Sequence, residues 1–99
     1  MFQKNKRIVN KELMRRIKSY PCLACKGTFM VDPAHIVSRG AGGPDLEFNI
    51  IPLCRREHQF QHQLGWKIFF ERWPVVWIYL ETLGWYWLGD KLWNDKLVN

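Results

Sequence analysis

The fold of this chain follows mainly from residues 32–62, which have the sequence DPAHIVSRGAGGPDLEFNIIPLCRREHQFQH. β-prone residues predict one short strand over about residues 29–36 and a second over residues 49–53. Between them, residues 38–45 hold three glycines and a proline, so this segment is predicted to be a loop. A helix is predicted over about Arg55–Arg72. The order strand, loop, strand, helix predicts an α+β domain.

Two further helices are predicted to flank this unit. Residues 11–20 carry apolar side chains at helical spacing, and Pro21 ends that helix. Pro74 suits the first position of a helix that carries an apolar stripe and stops at Gly84. The 99 residues are expected to form one domain. It would comprise a basic N-terminal helix (1–20), a cysteine knuckle with the central unit (21–73) and a Trp-rich helical tail (74–99).

The charge is concentrated at one end of the chain. The formal net charge is +6, and residues 1–20, here called the basic arm, hold seven basic residues against one acid. The basic residues of the arm are Lys4, Lys6, Arg7, Lys11, Arg15, Arg16 and Lys18. Such an arm favours a polyanionic partner, with nucleic acid ahead of a membrane. A solvated lysine-rich helix face is the alternative interpretation.

Composition excludes several classes of protein. A hydrophobic content of 47% is too high for a disordered chain. The basic arm has no apolar segment typical of a signal peptide. The apolar stretch 73–89 is shorter than the ~20 residues of a membrane span. We therefore expect a cytoplasmic protein that does not enter a membrane.

The three cysteines favour a metal site. Their odd number argues against a secreted disulfide framework. Cys22 and Cys25 have Cys-x2-Cys spacing, and Cys54 follows about thirty residues later, as in zinc sites of reducing compartments. Ordinary buried thiols are the alternative.

Four residues of the central unit suit phosphodiester hydrolysis. His35 would end the first strand and Asn49 would open the second, while His58 and His62 are four residues apart on the helix. Histidines at this spacing project from one helical face and can share a metal ion. A neutral imidazole can take a proton from attacking water, and an amide can fix its orientation. A solvated surface histidine is the alternative for His62.

These residues, together with the sequences around them, resemble the HNH endonucleases. The shared sequences are DPAHI at residues 32–36, GAGGPD at 40–45, N-x3-LC at 49–54 and H-x3-H at 58–62. The similarity covers about residues 22–73 and is greatest to small bacterial and phage members. It implies that the protein acts in the cytoplasm of a bacterium or a phage-infected cell. It implies a ββα-metal finger, here with a basic N-terminal helix and Trp-rich C-terminal helices.

The resemblance also implies roles for individual residues. His35 would be the general base, Asn49 its orienting partner and His58 a metal ligand. His62 would be a second ligand, as in colicin-type members of the family. The catalytic ion would be Mg²⁺ or Mn²⁺, with Zn²⁺ or Ni²⁺ as alternatives, and the cut would leave a 5′-phosphate and a 3′-hydroxyl.

Two positions depart from the family pattern. Many members carry a metal ligand immediately before the general base, where this chain has Ala34. Members with a cysteine-bound structural zinc close the site with a fourth Cys or His, where this chain has Glu57. The expected zinc ligands are therefore Cys22, Cys25 and Cys54, with the Glu57 carboxylate or a more distant group as the fourth. Loss of the zinc site is the alternative.

DNA is the expected partner, contacted with little sequence preference or through a particular DNA structure. The residues expected to contact it are Lys11, Arg15, Arg16, Lys18 and Arg39. The six tryptophans all follow residue 65, and we expect them to form core. Alternatively, they form a surface for a homodimer or a guiding partner protein. Stacking on bases is a third use, which the nearly uncharged tail disfavours. Two other functions stay open: an inactive, zinc-stabilised DNA-binding module, and an interaction adaptor built on the tryptophans.

Overall fold

The fold is a small mixed α+β domain, as predicted. A computed structural model describes residues 7–97, so Lys4 and Lys6 of the basic arm and the last two residues of the tail lie outside the described residues. The helices are α1 (Lys11–Lys18), α2 (Arg55–Arg72) and α3 (Pro74–Thr82), and the strands are β1 (Val31–His35), β2 (Ile50–Cys54), β3 (Trp85–Leu88) and β4 (Lys91–Asn94). Three short 3₁₀ turns complete the described structure: Arg39–Ala41, Glu47–Asn49 and Asp95–Leu97.

The central unit has the predicted order of strand, loop, strand and helix. β1 and β2 pair antiparallel, with Val31 opposite Cys54 and His35 opposite Ile50. The two strands form a sheet of their own, so each has an unpaired edge that tolerates a proline. α2 begins directly after β2, which places the histidines of the helix beside the end of β1.

α2 has the predicted bounds, but it is not one continuous helix. Gly65 has φ 86° and ψ 167°, a backbone conformation that is essentially restricted to glycine. The break redirects the second half of the helix, whose Phe69 and Phe70 enter the core. It also brings Arg72 and Trp73 back to Glu57 in the first turn.

The prediction of a wholly helical tail is wrong. After α3, Gly84 has φ 99°, and the chain turns into the β3–β4 hairpin, in which Trp85 pairs with Asn94. The tight turn contains Gly89, whose positive φ of 66° suits a two-residue hairpin loop. Aromatic residues at residues 85–87 favour a strand, and the Gly89–Asp90 pair favours a hairpin turn.

One hydrophobic core joins the central unit to the tail. Its fully buried side chains include Ile51 and Leu53 of β2, Phe69 of α2, and Val76 and Leu80 of α3. Trp85 is buried in this core, and Trp66, Trp73 and Trp77 pack against it half-buried, which agrees with the preferred role of the tryptophans. A second cluster of Leu13, Met14, Ile17 and Ile50 docks α1 onto the β1–β2 sheet. Within residues 7–97, no helix combines the length and the apolar composition that crossing a bilayer requires.

Replacement of Gly65 by alanine should destabilise the fold through backbone strain alone. A Cβ at this position would have no heavy atom within 4 Å, so it would meet no steric clash. The φ of 86° is nevertheless unfavourable for alanine, and we expect Gly65→Ala to lower the free energy of unfolding by ~1–3 kcal/mol. Urea denaturation measures this difference.

Gly40→Ala is the matched control for this experiment. A Cβ at Gly40 also has open space, and its φ lies outside the left-handed region. Its effect should stay within ~0.5 kcal/mol. Equal effects of the two substitutions would show that backbone strain at Gly65 does not shape α2.

Candidate functional site: a cysteine cluster and a histidine cleft

The three cysteines lie together, as the spacing predicted. The Sγ atoms of Cys22, Cys25 and Cys54 all lie within 4.8 Å of one another, and no disulfide joins them. Cys25 Sγ and Cys54 Sγ are 3.7 Å apart, a separation that suits two thiolates each ~2.3 Å from one Zn²⁺ ion. The cluster can therefore hold a metal such as zinc through three sulfur ligands.

The backbone around the cluster is arranged for thiolates. The N–H of Cys25 donates to Cys22 Sγ at 3.4 Å, and the N–H of Lys26 closes the knuckle on the Cys22 carbonyl at 2.9 Å. The N–H of Gly27 lowers the pKa of Cys25. Burial raises the pKa of Cys54, and a hydrogen bond from the N–H of Glu57 offsets part of this increase. Donors of this kind stabilise sulfur anions at a metal site.

The Glu57 carboxylate lies outside the cysteine cluster, although the sequence predicted it as a fourth ligand. It is fully buried and accepts hydrogen bonds from Trp73 Nε1 at 2.8 Å and from Arg72 at 3.2 and 3.4 Å. Burial raises the pKa of Glu57, but the donors from Trp73 and Arg72 outweigh it and lower the pKa. The side chain thus ties the two halves of α2 together. Cys25 and Cys54 border a groove of about 540 Å³.

The three histidines line one cleft with two of the predicted DNA contacts. The cleft has a volume of about 510 Å³. His35 comes from β1, and His58 and His62 come from the first half of α2. Lys18 of α1 and Arg39 of the glycine-rich loop line the same space. The cleft therefore combines imidazoles with positive charge.

His58 and His62 are placed to share a ligand. Their Nε2 atoms lie 3.1 Å apart, a distance that two bonds of ~2.0–2.1 Å to one metal ion can span. His58 Nδ1 lies 3.3 Å from Asp32 Oδ2. A hydrogen bond from Arg55, together with that from His58, lowers the pKa of Asp32, so the carboxylate is ionised and accepts the Nδ1 proton. His58 Nε2 then carries the lone pair that a metal ligand needs.

Burial lowers the pKa of His58, and the charge of His62 adds to this effect, while Asp32 opposes it. His58 is therefore neutral at pH 7, as metal binding requires. Within residues 7–97, the cysteines form the only group of three or more candidate ligands within 4.8 Å of one another. A metal on the histidine pair would take its other ligands from water and substrate. Ala34 supplies none, because its methyl side chain has no donor atom; it is fully buried in the core.

Asp45, for which the sequence predicted no role, holds the His35 ring. His35 Nε2 lies 2.7 Å from Asp45 Oδ1. Arg7 Nη1 donates to the same oxygen at 2.7 Å, and the N–H of Asn10 donates to Oδ2 at 2.9 Å. Burial raises the pKa of Asp45, but these three donors outweigh it and lower the pKa to about 2. An ionised Asp45 can only accept, so His35 carries its proton on Nε2, and Nδ1 is left with a lone pair.

Asn49 positions the backbone around His35 and does not contact its ring. The Asn49 amide is fully buried; its Oδ1 accepts from the Val37 N–H at 2.8 Å, and its Nδ2 donates to the carbonyls of Val37 and Pro44 at 3.1 and 3.0 Å. These bonds close the loop between the two strands. The expected orienting role passes to Asp45, which a sequence motif built on Asn49 does not reveal.

The basic arm is partly neutralised by ion pairs. Arg7 is bound to Asp45, Arg15 pairs with Glu12 at 2.6 Å, and Arg16 pairs with Glu47. The pairs of Arg15 and Arg16 are exposed and contribute little stability, so phosphate can compete for both side chains. Lys11 and Lys18 have no ion-pair partner within residues 7–97.

The zinc ligands can be tested by metal content. We expect about one zinc ion per chain in the purified protein, and its loss in Cys54→Ser, because two sulfur ligands hold zinc poorly. Glu57→Gln should keep the zinc and lower only the free energy of unfolding, since it weakens the contacts with Arg72 and Trp73. Plasma mass spectrometry after gel filtration measures the zinc. A folded Glu57→Gln variant without zinc would restore Glu57 as a ligand.

Asp45 should make the free energy of unfolding depend on pH in the acidic range. Because its folded pKa of about 2 lies below its unfolded value, it contributes about 2 kcal/mol above pH ~4, and this contribution is lost as the pH falls towards 2. The stability gap between the wild type and Asp45→Asn should narrow by that amount between pH 5 and 2. Urea denaturation across this range measures the gap. Asp90→Asn, at an exposed turn, is the control, and parallel curves for Asp45→Asn and the wild type would contradict the assignment.

Comparison with known proteins gives one uncharacterised relative. No protein-family model and no solved structure matches the chain. The chain is similar to the uncharacterized protein YdfU of Escherichia coli (strain K12), with 36% identity over 62 residues. The match covers 60% of this chain and 18% of YdfU, so the chain corresponds to a small part of that protein.

Proposed function

We propose that the protein is a metal-dependent endonuclease of the HNH type, which hydrolyses phosphodiester bonds in DNA with little sequence preference or at a particular DNA structure. The observation that carries the proposal is the cleft in which His35, His58 and His62 meet Lys18 and Arg39. The sequence resemblance to HNH enzymes assigns these same histidines to catalysis and to metal binding. Phage or mobile-element DNA metabolism is the setting we infer from that resemblance.

In this proposal His35 is the general base. Its Nδ1 takes a proton from a water molecule, whose oxygen attacks phosphorus as the bond to the 3′-oxygen breaks. The departing oxygen becomes a 3′-hydroxyl after it gains a proton, and the other end retains a 5′-phosphate. Asp45, 2.7 Å from Nε2, stabilises the imidazolium that forms and prevents the ring from turning.

The remaining residues of the cleft bind the substrate and the cofactor. His58 and His62 would hold a divalent ion, Mg²⁺ or Mn²⁺ by resemblance, with Asp32 fixing the ring of His58. When bound, such an ion stabilises negative charge on the phosphate and the leaving oxygen. Lys18 and Arg39 can hold the neighbouring phosphates, and the exposed side chains of α1 extend this contact along the backbone.

A plasmid-nicking assay with Mg²⁺ or Mn²⁺ tests the proposed activity. The wild type should convert supercoiled plasmid to the nicked form, and His35→Ala should be slower by ~10²–10⁴-fold, because the general base is lost. Gln63→Ala, on an exposed part of the same helix as His58, should cleave at the wild-type rate.

DNA binding is measured on the same variants by gel shift. His35→Ala should still bind, because binding depends on Lys18, Arg39 and α1. Shifted bands without nicks in the wild type would identify an inactive binding module. Nicking that His35→Ala leaves unchanged would remove His35 from the mechanism.

A further inference from the structure

A second concavity, here called the tryptophan groove, lies next to the histidine cleft. Its volume is about 980 Å³, which is ample for a nucleotide. It is enclosed by the glycine-rich loop, the Gly65 break in α2 and the β3–β4 hairpin. No residue of the groove beyond Ser38 belongs to the proposed catalytic cleft.

Three tryptophans line the tryptophan groove: Trp66, Trp87 and Trp93. Trp66 stacks one face on Phe70, with ring centroids 5.5 Å apart and planes at 26°, which fixes its orientation. Trp87 is 36% exposed and packs against Phe70 and Trp77, with ring centroids 6.2 and 6.0 Å away. Trp93 is half-buried. Within residues 7–97, the indole N–H groups of these three tryptophans have no hydrogen-bond partner. The groove is therefore lined by aromatic residues whose N–H groups can bind a ligand.

The charge of the tryptophan groove is suited to a nucleic acid strand. Lys67 and Lys91 line it, opposed by a single acid, Asp90. The tail has almost no net charge in the sequence, but the fold places these two lysines beside the indoles. Aromatic rings with nearby cations are the combination by which proteins bind unpaired bases and their phosphates.

The tryptophan groove adjoins the histidine cleft across the glycine-rich loop. Ser38 lines both, while Arg39 and Gly40 face the cleft and Ala41 and Gly42 face the groove. The N–H of Gly43 donates to the Ser38 carbonyl at 2.8 Å, which holds this loop closed. A strand whose phosphate lies in the cleft can thus pass over this loop and place a base in the groove.

We propose that the tryptophan groove binds an unpaired nucleobase of the strand that occupies the cleft, an inference that rests on the proposed nuclease function. The base stacks on the indoles, and Lys67 and Lys91 contact its flanking phosphates. The substrate class is then DNA with an unpaired nucleotide beside the scissile phosphate, such as a single strand, a bubble or a flap. Stacking offsets the cost of taking the base out of a duplex.

Binding of a labelled oligothymidylate and of an abasic strand of equal length tests this proposal. The two strands carry the same phosphates and differ only in their bases. Fluorescence anisotropy with the His35→Ala variant, without added divalent metal, avoids cleavage and leaves zinc in place. We expect the thymidylate to bind at least about fivefold more tightly than the abasic strand.

Substitutions then locate the contact. Trp87→Leu and Trp93→Leu should each reduce the preference for bases severalfold, and thermal melting shows which of them remains folded. Tyr79→Ala, an exposed aromatic residue on α3 outside the tryptophan groove, should keep the preference. Equal affinity for the two strands in the unsubstituted groove, or a preference that both folded leucine variants keep, would overturn the proposal.

The binding titrations and the plasmid-nicking assay together separate this inference from the nuclease proposal. A base preference, combined with a wild type that never nicks DNA, would support the nucleobase site and exclude the nuclease function. Nicking by the wild type without any base preference would support the nuclease function and exclude the nucleobase site. Concentration-dependent self-association that Trp87→Leu abolishes would assign the tryptophan groove to a second copy of the chain and overturn its proposed use.

Discussion

The hydrogen bonds accepted by the buried carboxylate of Asp45 join the parts of the molecule on which the site depends. Arg7 and the N–H of Asn10 bring the start of α1 to this carboxylate, and His35 brings the end of β1. The N–H of Asp45 in turn donates to the Ile8 carbonyl at 2.9 Å. A carboxylate with this many donors stays ionised, so the interaction that anchors the basic arm also sets which nitrogen of His35 is free.

A second constraint is the break in α2 at Gly65. A straight helix would carry Arg72 away from Glu57, whereas the broken one returns it to an ion pair with the buried Glu57 carboxylate. The first half of α2 then faces the histidine cleft, and the break itself lines the tryptophan groove. Cleft and groove are two sides of one loop, which the Asn49 amide holds closed. The same few polar contacts therefore place the histidine cleft and the tryptophan groove side by side.

The sequence predicted those features that depend on local pattern. Glycine and proline marked the loop, the period of apolar residues marked α2, and the spacing of Cys22, Cys25 and Cys54 marked their cluster. Features that depend on tertiary contacts escaped prediction. Nothing near Asp45 in sequence links it to His35, ten residues away, or to Arg7. Glu57 matches a ligand position by spacing, yet Arg72 and Trp73 bind its buried carboxylate. The β3–β4 hairpin escaped prediction because the whole tail, residues 74–99, is predicted to be helical although the apolar stripe of α3 stops at Gly84.

Asp45 fixes His35 with its proton on Nε2 and leaves Nδ1 free to accept one. The chain has three histidines, so their ring nitrogens can be resolved individually. A ¹H–¹⁵N multiple-bond correlation spectrum of histidine-labelled protein reports each tautomer directly. We predict that neutral His35 is the Nε2–H tautomer in the wild type and a mixture of both tautomers in Asp45→Asn. A wild-type His35 that is protonated on Nδ1 alone would contradict this role of Asp45.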